Sequence, residues 1–90
     1  MTAPQGAAPR LVLLTRHDCE LCETMQRELA ALSRTLPLPP LDVVDVDSDP
    51  QLARRHGLNI PVLLLGGSVV CRHRLDRAEL ERLLRGTPPP

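Results

Sequence analysis

The chain has 90 residues, enough for one small domain, and its hydrophobic fraction of 42% suffices for a single core. Phe, Tyr and Trp are absent, so Leu and Val must fill that core. The formal net charge is zero with acidic and basic residues interleaved, which argues against a nucleic-acid surface. No signal peptide or membrane-length apolar segment is visible, and three cysteines fit a secreted disulfide framework poorly. We therefore expect a soluble, cytoplasmic protein without a membrane partner.

The first part of the chain predicts a strand followed by a helix. A short apolar run indicates a buried strand over about Leu11 to Thr15. The pattern from about Cys19 to Arg34 predicts an amphipathic helix with apolar residues at spacings of four, four and three. Those apolar positions, which we expect to face the core, are Leu21, Met25, Leu29 and Leu32. The proline-rich segment 36–40 cannot continue a helix and predicts a stiff connector.

The middle of the chain predicts a second strand and a short helix. The Val-rich segment Leu41 to Val46 predicts a second strand. Asp49 is typical of an N-cap, and a proline follows it at the first helical position. The helix therefore spans about Pro50 to His56 and ends at Gly57, a residue type common at helix ends.

The last part of the chain predicts a hairpin and a third helix. Gly66 and Gly67 form a two-residue turn between two apolar runs. Asp76, with a glutamate three residues later, is typical of a capping box at a helix start. These signals predict strands over Val62–Leu65 and about Val69–His73, and a helix over about Arg77–Leu84.

The predicted order is β-α-β-α-β-β-α. Because a helix joins the first two strands, we expect them to be parallel with a right-handed crossover. We assign residues 10–85 to one domain, and residues 1–9 and 86–90 to flexible tails.

The sequence Cys19-Glu20-Leu21-Cys22 lies where the first strand gives way to the first helix. This position places the first thiol at the positive end of the helix, where a thiolate is stabilised. We expect Cys19 to be the nucleophile and the more deeply placed Cys22 to be the resolving thiol. Acidic neighbours, with only Arg16 and His17 to oppose them, predict a modestly lowered pKa of Cys19. The couple should be reducing, nearer about −270 mV than about −120 mV.

Three segments carry a resemblance to a known family: Leu14–Cys22, Val44–Pro50 and Ile60–Leu65. With the element order, they resemble the thioredoxin fold in its minimal, glutaredoxin-type form, and more narrowly the small bacterial glutaredoxin-like proteins. The resemblance implies a four-stranded mixed sheet in the order 2-1-3-4, with helices on both faces. It also implies that Pro61 is cis, and that Ile60 before it offers backbone groups to the substrate.

The implied activity is that of a thiol–disulfide oxidoreductase in cell redox homeostasis. The substrate would be a disulfide-containing protein or small molecule, and no cofactor or metal is expected. Glutathione is one candidate co-substrate, although the segment Arg72–Asp76 lacks the usual Gly-Gly of the family. Arg16, Arg54 or Arg55 could pair with its carboxylates, or all three could be solvated surface residues. We assign substrate binding to Ile60, Pro61 and Arg16.

Two other interpretations remain open. The cysteines could bind zinc or an iron–sulfur cluster; a zinc site would combine Cys19, Cys22 and His17 with Cys71 or His73. Alternatively, the chain is a binding module of the same fold without turnover. Cys71 is more typical of a small buried apolar residue than of a third redox thiol. A neutral surface without aromatic residues favours a monomer.

Overall fold

A computed structural model describes residues 9–86, which form one four-stranded sheet and its covering helices. The predicted tails fall mostly outside these residues, at 1–8 and 87–90, and remain predictions. Within residues 9–86 no helix is long and apolar enough to cross a membrane. In chain order the elements are β1 (Leu11–Thr15), α1 (Glu20–Leu32), β2 (Leu41–Asp45), a 3-10 turn (Val46–Ser48), α2 (Pro50–His56), β3 (Val62–Leu65), β4 (Ser68–Arg72) and α3 (Arg77–Leu84).

The strands lie in the order β2-β1-β3-β4. β1 and β2 are parallel, whereas β3 is antiparallel to both β1 and β4. The parallel pair needs a crossover, which α1 supplies, and the antiparallel pair β3–β4 needs only a tight turn. This arrangement confirms the predicted mixed sheet and the thioredoxin-like fold.

Helices cover both faces of the sheet, as predicted. On one face, α1 and α3 pack against side chains of β1, β3 and β4; the cluster includes Leu13, Met25, Leu29, Leu63 and Leu80. On the other face, α2 packs over a smaller cluster formed by Leu14, Val46 and Val62, with Leu52 of α2 against it. The core is therefore aliphatic on both sides, because the chain has no aromatic residue to fill it.

One predicted core residue was wrong. Leu21 is 43% exposed, and Cys22 takes the inward position in the first turn of α1. The buried stripe of the helix consists of Cys22, Met25, Leu29 and Leu32. A residue next to the stripe is rotated by about 100° around the helix. Leu21 therefore points to the surface from the middle of the cysteine motif.

Three elements end earlier than predicted, one of them β4, which spans Ser68–Arg72 instead of about Val69–His73. α1 ends at Leu32 rather than near Arg34, and Ser33 caps it with its N–H directed at the carbonyl of Leu29. β2 ends at Asp45, because the Asp45 carboxylate accepts the backbone N–H of Asp47 at 2.8 Å. Such a local bond competes with the strand and turns the chain.

The turn and cap residues behave as predicted, except at Gly57 and at Glu79, whose carboxylate accepts from Arg82, so that Asp76 alone forms the cap of α3. Gly66 and Gly67 have φ of 58° and 88°, the left-handed values that a two-residue hairpin requires. Asp49 and Asp76 cap α2 and α3 with their side chains. Gly57 follows α2 but has an ordinary φ of −55°. Glycine at this position is therefore explained by close contacts with neighbouring atoms and not by its φ.

Candidate active site

The strand register brings distant parts of the chain to one edge of the sheet. Leu14 pairs with Val62, which in turn pairs with Arg72. The loop after β1, the loop before β3 and the loop after β4 therefore meet at this edge. Because Thr15 pairs with Asp45, the turn after β2 joins them there. We call this the cysteine edge, since the cysteine motif follows β1.

Cys19 and Cys22 form a disulfide at the cysteine edge, with their Cα atoms 5.2 Å apart. Cys19 is the N-cap residue of α1, and its Sγ accepts the backbone N–H of Cys22 at 3.1 Å. Cys19 is half-buried, whereas only 2% of Cys22 is exposed. Of the two cysteines, the one at the helix N-terminus is therefore the more exposed, and the assignment of Cys19 as the nucleophile remains a prediction.

The chain turns sharply just before the cysteines. Asp18 has a φ of 54°, in the left-handed region that Asp tolerates better than most residues. Two acidic side chains, Glu20 and Glu23, lie in the first turn of α1 and are exposed. Their negative charges interact favourably with the helix dipole, but they disfavour a further negative charge on a nearby thiolate.

Pro61 lies across the edge from the cysteine loop. The Ile60–Pro61 peptide bond is cis, which confirms the prediction. Pro61 is fully buried, and its carbonyl accepts the backbone N–H of His73 at 2.8 Å. His73 itself has a φ of 68°. The residue after β4 thus supports the proline loop through its backbone, a role that no side-chain pattern signals.

Arg16, predicted to contact the substrate, donates hydrogen bonds to two other residues of the protein. Its Nε and Nη2 donate to the two carboxylate oxygens of Asp47 at 2.8 and 3.0 Å, and its Nη1 donates to the carbonyl of Gly57 at 3.0 Å. The hydrogen bonds from Arg16 lower the pKa of Asp47, and Asp47 raises the pKa of Arg16. Arg54 and Arg55 are exposed in the last turn of α2. Substrate binding by Arg16 therefore remains a prediction.

A cavity of about 170 Å³ lies beside the motif, between α1 and the segment after β4. Leu21 and Thr24 line one wall, and His73 and Arg74 line the other. The exposed leucine that sequence periodicity placed in the core thus borders a depression at the cysteine edge.

The third cysteine is not part of the disulfide. Cys71 is a buried free thiol on β4, packed in the cluster under α1 and α3. Burial raises the pKa of Cys71 above its usual value of 9.0. Among residues 9–86, no three His, Cys, Asp or Glu side chains lie close enough together to hold a metal ion. The arrangement therefore gives no support to the zinc-site interpretation.

Comparison with solved structures shows the fold of the protein. A solution NMR structure of a protein from Nitrosomonas europaea has a TM-score of 0.76 and 26% identity, covering 91% of this chain and 98% of that one. A crystal structure of a protein from X. campestris has a TM-score of 0.62 and 30% identity, covering 87% and 99%. Oxidized mitochondrial thioredoxin 3 from Saccharomyces cerevisiae, at 21% identity, has a TM-score of 0.63 and covers 89% and 79%. The chain has the thioredoxin fold.

The sequence profile of the glutaredoxin-like domain (DUF836) matches residues 10–85. The protein therefore belongs to this glutaredoxin-like family. An uncharacterized protein of Mycobacterium tuberculosis and another of Mycobacterium bovis are each 36% identical to it over 91 residues, covering 90% of this chain and 92% of theirs.

Proposed function

We propose that the protein is a thiol–disulfide oxidoreductase of the cytoplasm that acts in redox homeostasis through a dithiol mechanism. The observation that carries this proposal is the disulfide between a half-buried cysteine at a helix N-terminus and a buried cysteine one turn later. A thiolate at Cys19 would keep the N–H of Cys22 as a hydrogen-bond donor. Exposure and electrostatic stabilisation at the same sulfur are what a nucleophilic thiol requires.

The reaction has two exchanges. The Cys19 thiolate attacks one sulfur of a substrate disulfide, forms a mixed disulfide and expels the first substrate thiolate, which takes a proton from water. Cys22 then loses its proton and attacks the Cys19 sulfur, closing the protein disulfide and expelling the second substrate thiolate. Two electrons pass from the protein dithiol to the substrate. Two equivalents of an external thiol, for which glutathione is one candidate, reduce the protein again and leave as their own disulfide.

The proposed substrate site adjoins the cis proline. Ile60 precedes Pro61 in the loop opposite the cysteines, so its backbone groups could pair with a bound disulfide-containing protein or small molecule. The reaction needs no metal or cofactor. The cavity beside Leu21 offers room for the remainder of such a substrate. We further propose that the protein works as a monomer.

The direct test is to trap the mixed disulfide. In Cys22→Ser, one half of a disulfide substrate should remain covalently attached to Cys19, because no resolving thiol is present. Mass spectrometry under non-reducing conditions detects this adduct. Cys19→Ser should form no adduct. Cys71→Ser is the matched control, since its thiol is buried outside the pair, and it should turn over like the unmodified protein.

Two results would contradict the proposal. One is an adduct that forms equally well on Cys19→Ser. The other is an absence of both adduct and turnover with every disulfide offered, which would favour a binding module of this fold.

A further inference from the structure

Arg16 holds together three segments of the cysteine edge. It follows β1 directly and lies three residues before Cys19. Nε and Nη2 of its guanidinium form a fork that donates to the carboxylate of Asp47, in the turn after β2. The third nitrogen donates to the carbonyl of Gly57, at the start of the segment that leads to Pro61. One side chain therefore connects the loop that carries the nucleophile with the loop that carries the cis proline.

Gly57 supplies an independent observation at the same place. Its φ of −55° suits any residue, so the backbone does not require glycine. A Cβ atom at this position would lie 2.5 Å from the carbonyl oxygen of Ala53 and 3.1 Å from Nη2 of Arg16. Glycine is therefore required first by the end of α2, where a Cβ atom would overlap the carbonyl of Ala53, and it also leaves room for the guanidinium of Arg16.

The partner carboxylate is itself held in place. The backbone N–H of Asp47 donates to the Asp45 side chain at 2.8 Å, and Ser48 Oγ donates to the Asp45 carbonyl at 2.7 Å. The carboxylate that pairs with Arg16 therefore belongs to a turn that is itself fixed by hydrogen bonds. Because the pair is bidentate and the charges cancel, little positive charge remains for an anionic substrate.

We infer that Arg16 is a positioning residue, which fixes the segment 57–61 against the cysteine loop, and not a contact for anionic substrates. Only the expected effect on catalysis rests on the proposed function; the positioning of the segment does not. A shift of the segment would misplace the Ile60 backbone relative to Cys19 for every substrate, whatever its charge. The effect on catalysis should therefore depend on the geometry of the fork and not on its charge.

The variants separate geometry from charge. Arg16→Gln removes both, Arg16→Lys keeps the charge but loses the fork, and Asp47→Asn frees the arginine from its partner. Arg10→Gln is a matched control, because Arg10 makes the same bidentate pair with Asp42, at 2.9 Å for both bonds. That pair lies at the start of β1, at the opposite end of the strand from Cys19.

Turnover is measured with a neutral disulfide, bis(2-hydroxyethyl) disulfide, and with an anionic one, oxidised glutathione. All three variants of the Arg16–Asp47 pair should lower kcat/KM for both substrates by about tenfold, and the double variant Arg16→Gln/Asp47→Asn should lose no more. Arg10→Gln should stay within about twofold of the unmodified protein. A loss confined to oxidised glutathione, or a gain with it in Asp47→Asn, would overturn the inference.

Hydrogen exchange gives a readout that needs no turnover. The amides of Gly57 and Asn59 donate to the carbonyls of Ala53 and His56 at 2.9 and 2.8 Å. Their exchange should become about tenfold faster in Arg16→Gln and Asp47→Asn but not in Arg10→Gln. Unchanged exchange in the first two variants would overturn the inference. If the unmodified protein reduces no disulfide, the proposed function fails and these amides still decide the role of Arg16.

Discussion

At the residue scale, the thiol of Cys71 can be titrated without interference from other side chains. In the oxidised protein it is the only free thiol, and the chain has no Lys and no Tyr. Arginine stays charged and the terminal amine titrates near pH 8, so nothing else changes charge between about pH 9 and 11. Any pH dependence of stability in that window therefore belongs to Cys71.

Burial raises the pKa of Cys71 in the folded state above 9.0, the usual value. The unfolded chain consequently releases this proton first as the pH rises. We predict that the free energy of unfolding of the oxidised protein falls as the pH rises from the usual thiol pKa of 9.0 through the raised pKa of Cys71 in the folded state. Urea titrations at several pH values measure it, and Cys71→Ala should abolish the fall. A free energy of unfolding that rises in this range would contradict the burial of the thiol.

The residues of the site differ in how far the sequence could reveal them. Cys19 and Cys22 carry their chemistry in their spacing and in their place at a helix start. Asp47 and Gly57 carry no such signal, because what matters is their contact with Arg16, more than 30 residues away along the chain. Sequence reasoning could place Arg16 near the cysteines but could not see that its donors were already engaged.

At the scale of single elements, the local signals that predicted helix starts were reliable. Asp49 and Asp76 accept backbone N–H groups at 2.9 and 3.0 Å, so each cap is satisfied within a few residues of itself. The ends of α1 and β2 were predicted too late. Apolar residues continue past both points. After α1, the N–H groups of Arg34 and Thr35 bond to carbonyls three residues back instead of four, and after β2 the Asp45 side chain accepts the N–H of Asp47.

The cap of α3 gives a prediction at this scale. Asp76→Ala leaves the backbone N–H of Glu79 without its partner, and should lower the free energy of unfolding by about 1 kcal/mol. Chemical denaturation measures the loss. Asp76→Asn is the control, since its amide oxygen can still accept the bond, and it should retain most of the stability. Equal losses in the two variants would mean that the charge, and not the cap, is what matters.

At the scale of the whole molecule, the core is packed without any aromatic residue. Leu80 of α3 is fully buried against the sheet, whereas Leu58, in the loop after α2, is 96% exposed. Leu80→Ala should lower the free energy of unfolding by about 3 kcal/mol, because it leaves a cavity that stiff neighbours do not fill. Leu58→Ala should change it by less than about 0.5 kcal/mol. A small loss at Leu80 would contradict a close-packed core beneath α3.

The overall topology was predicted from element order and from the resemblance together. Periodicity alone gives strands and helices, and the helix between β1 and β2 dictates a parallel pair. The position of β3 beside β1, and the cis bond before Pro61, came from the resemblance. What neither supplied is how the loops meet at the cysteine edge, because loop contacts depend on the assembled sheet.

The most direct test of the account is the redox equilibrium of the Cys19–Cys22 pair in glutathione and dithiothreitol buffers, followed by mass spectrometry after thiol alkylation. We predict a reversible two-electron transition between about −180 and −300 mV, at the reducing side of that range because Asp18, Glu20 and Glu23 disfavour a thiolate. Cys71 should remain a reduced thiol at every buffer potential. A pair that never closes reversibly, or one as oxidising as about −120 mV, would contradict the account.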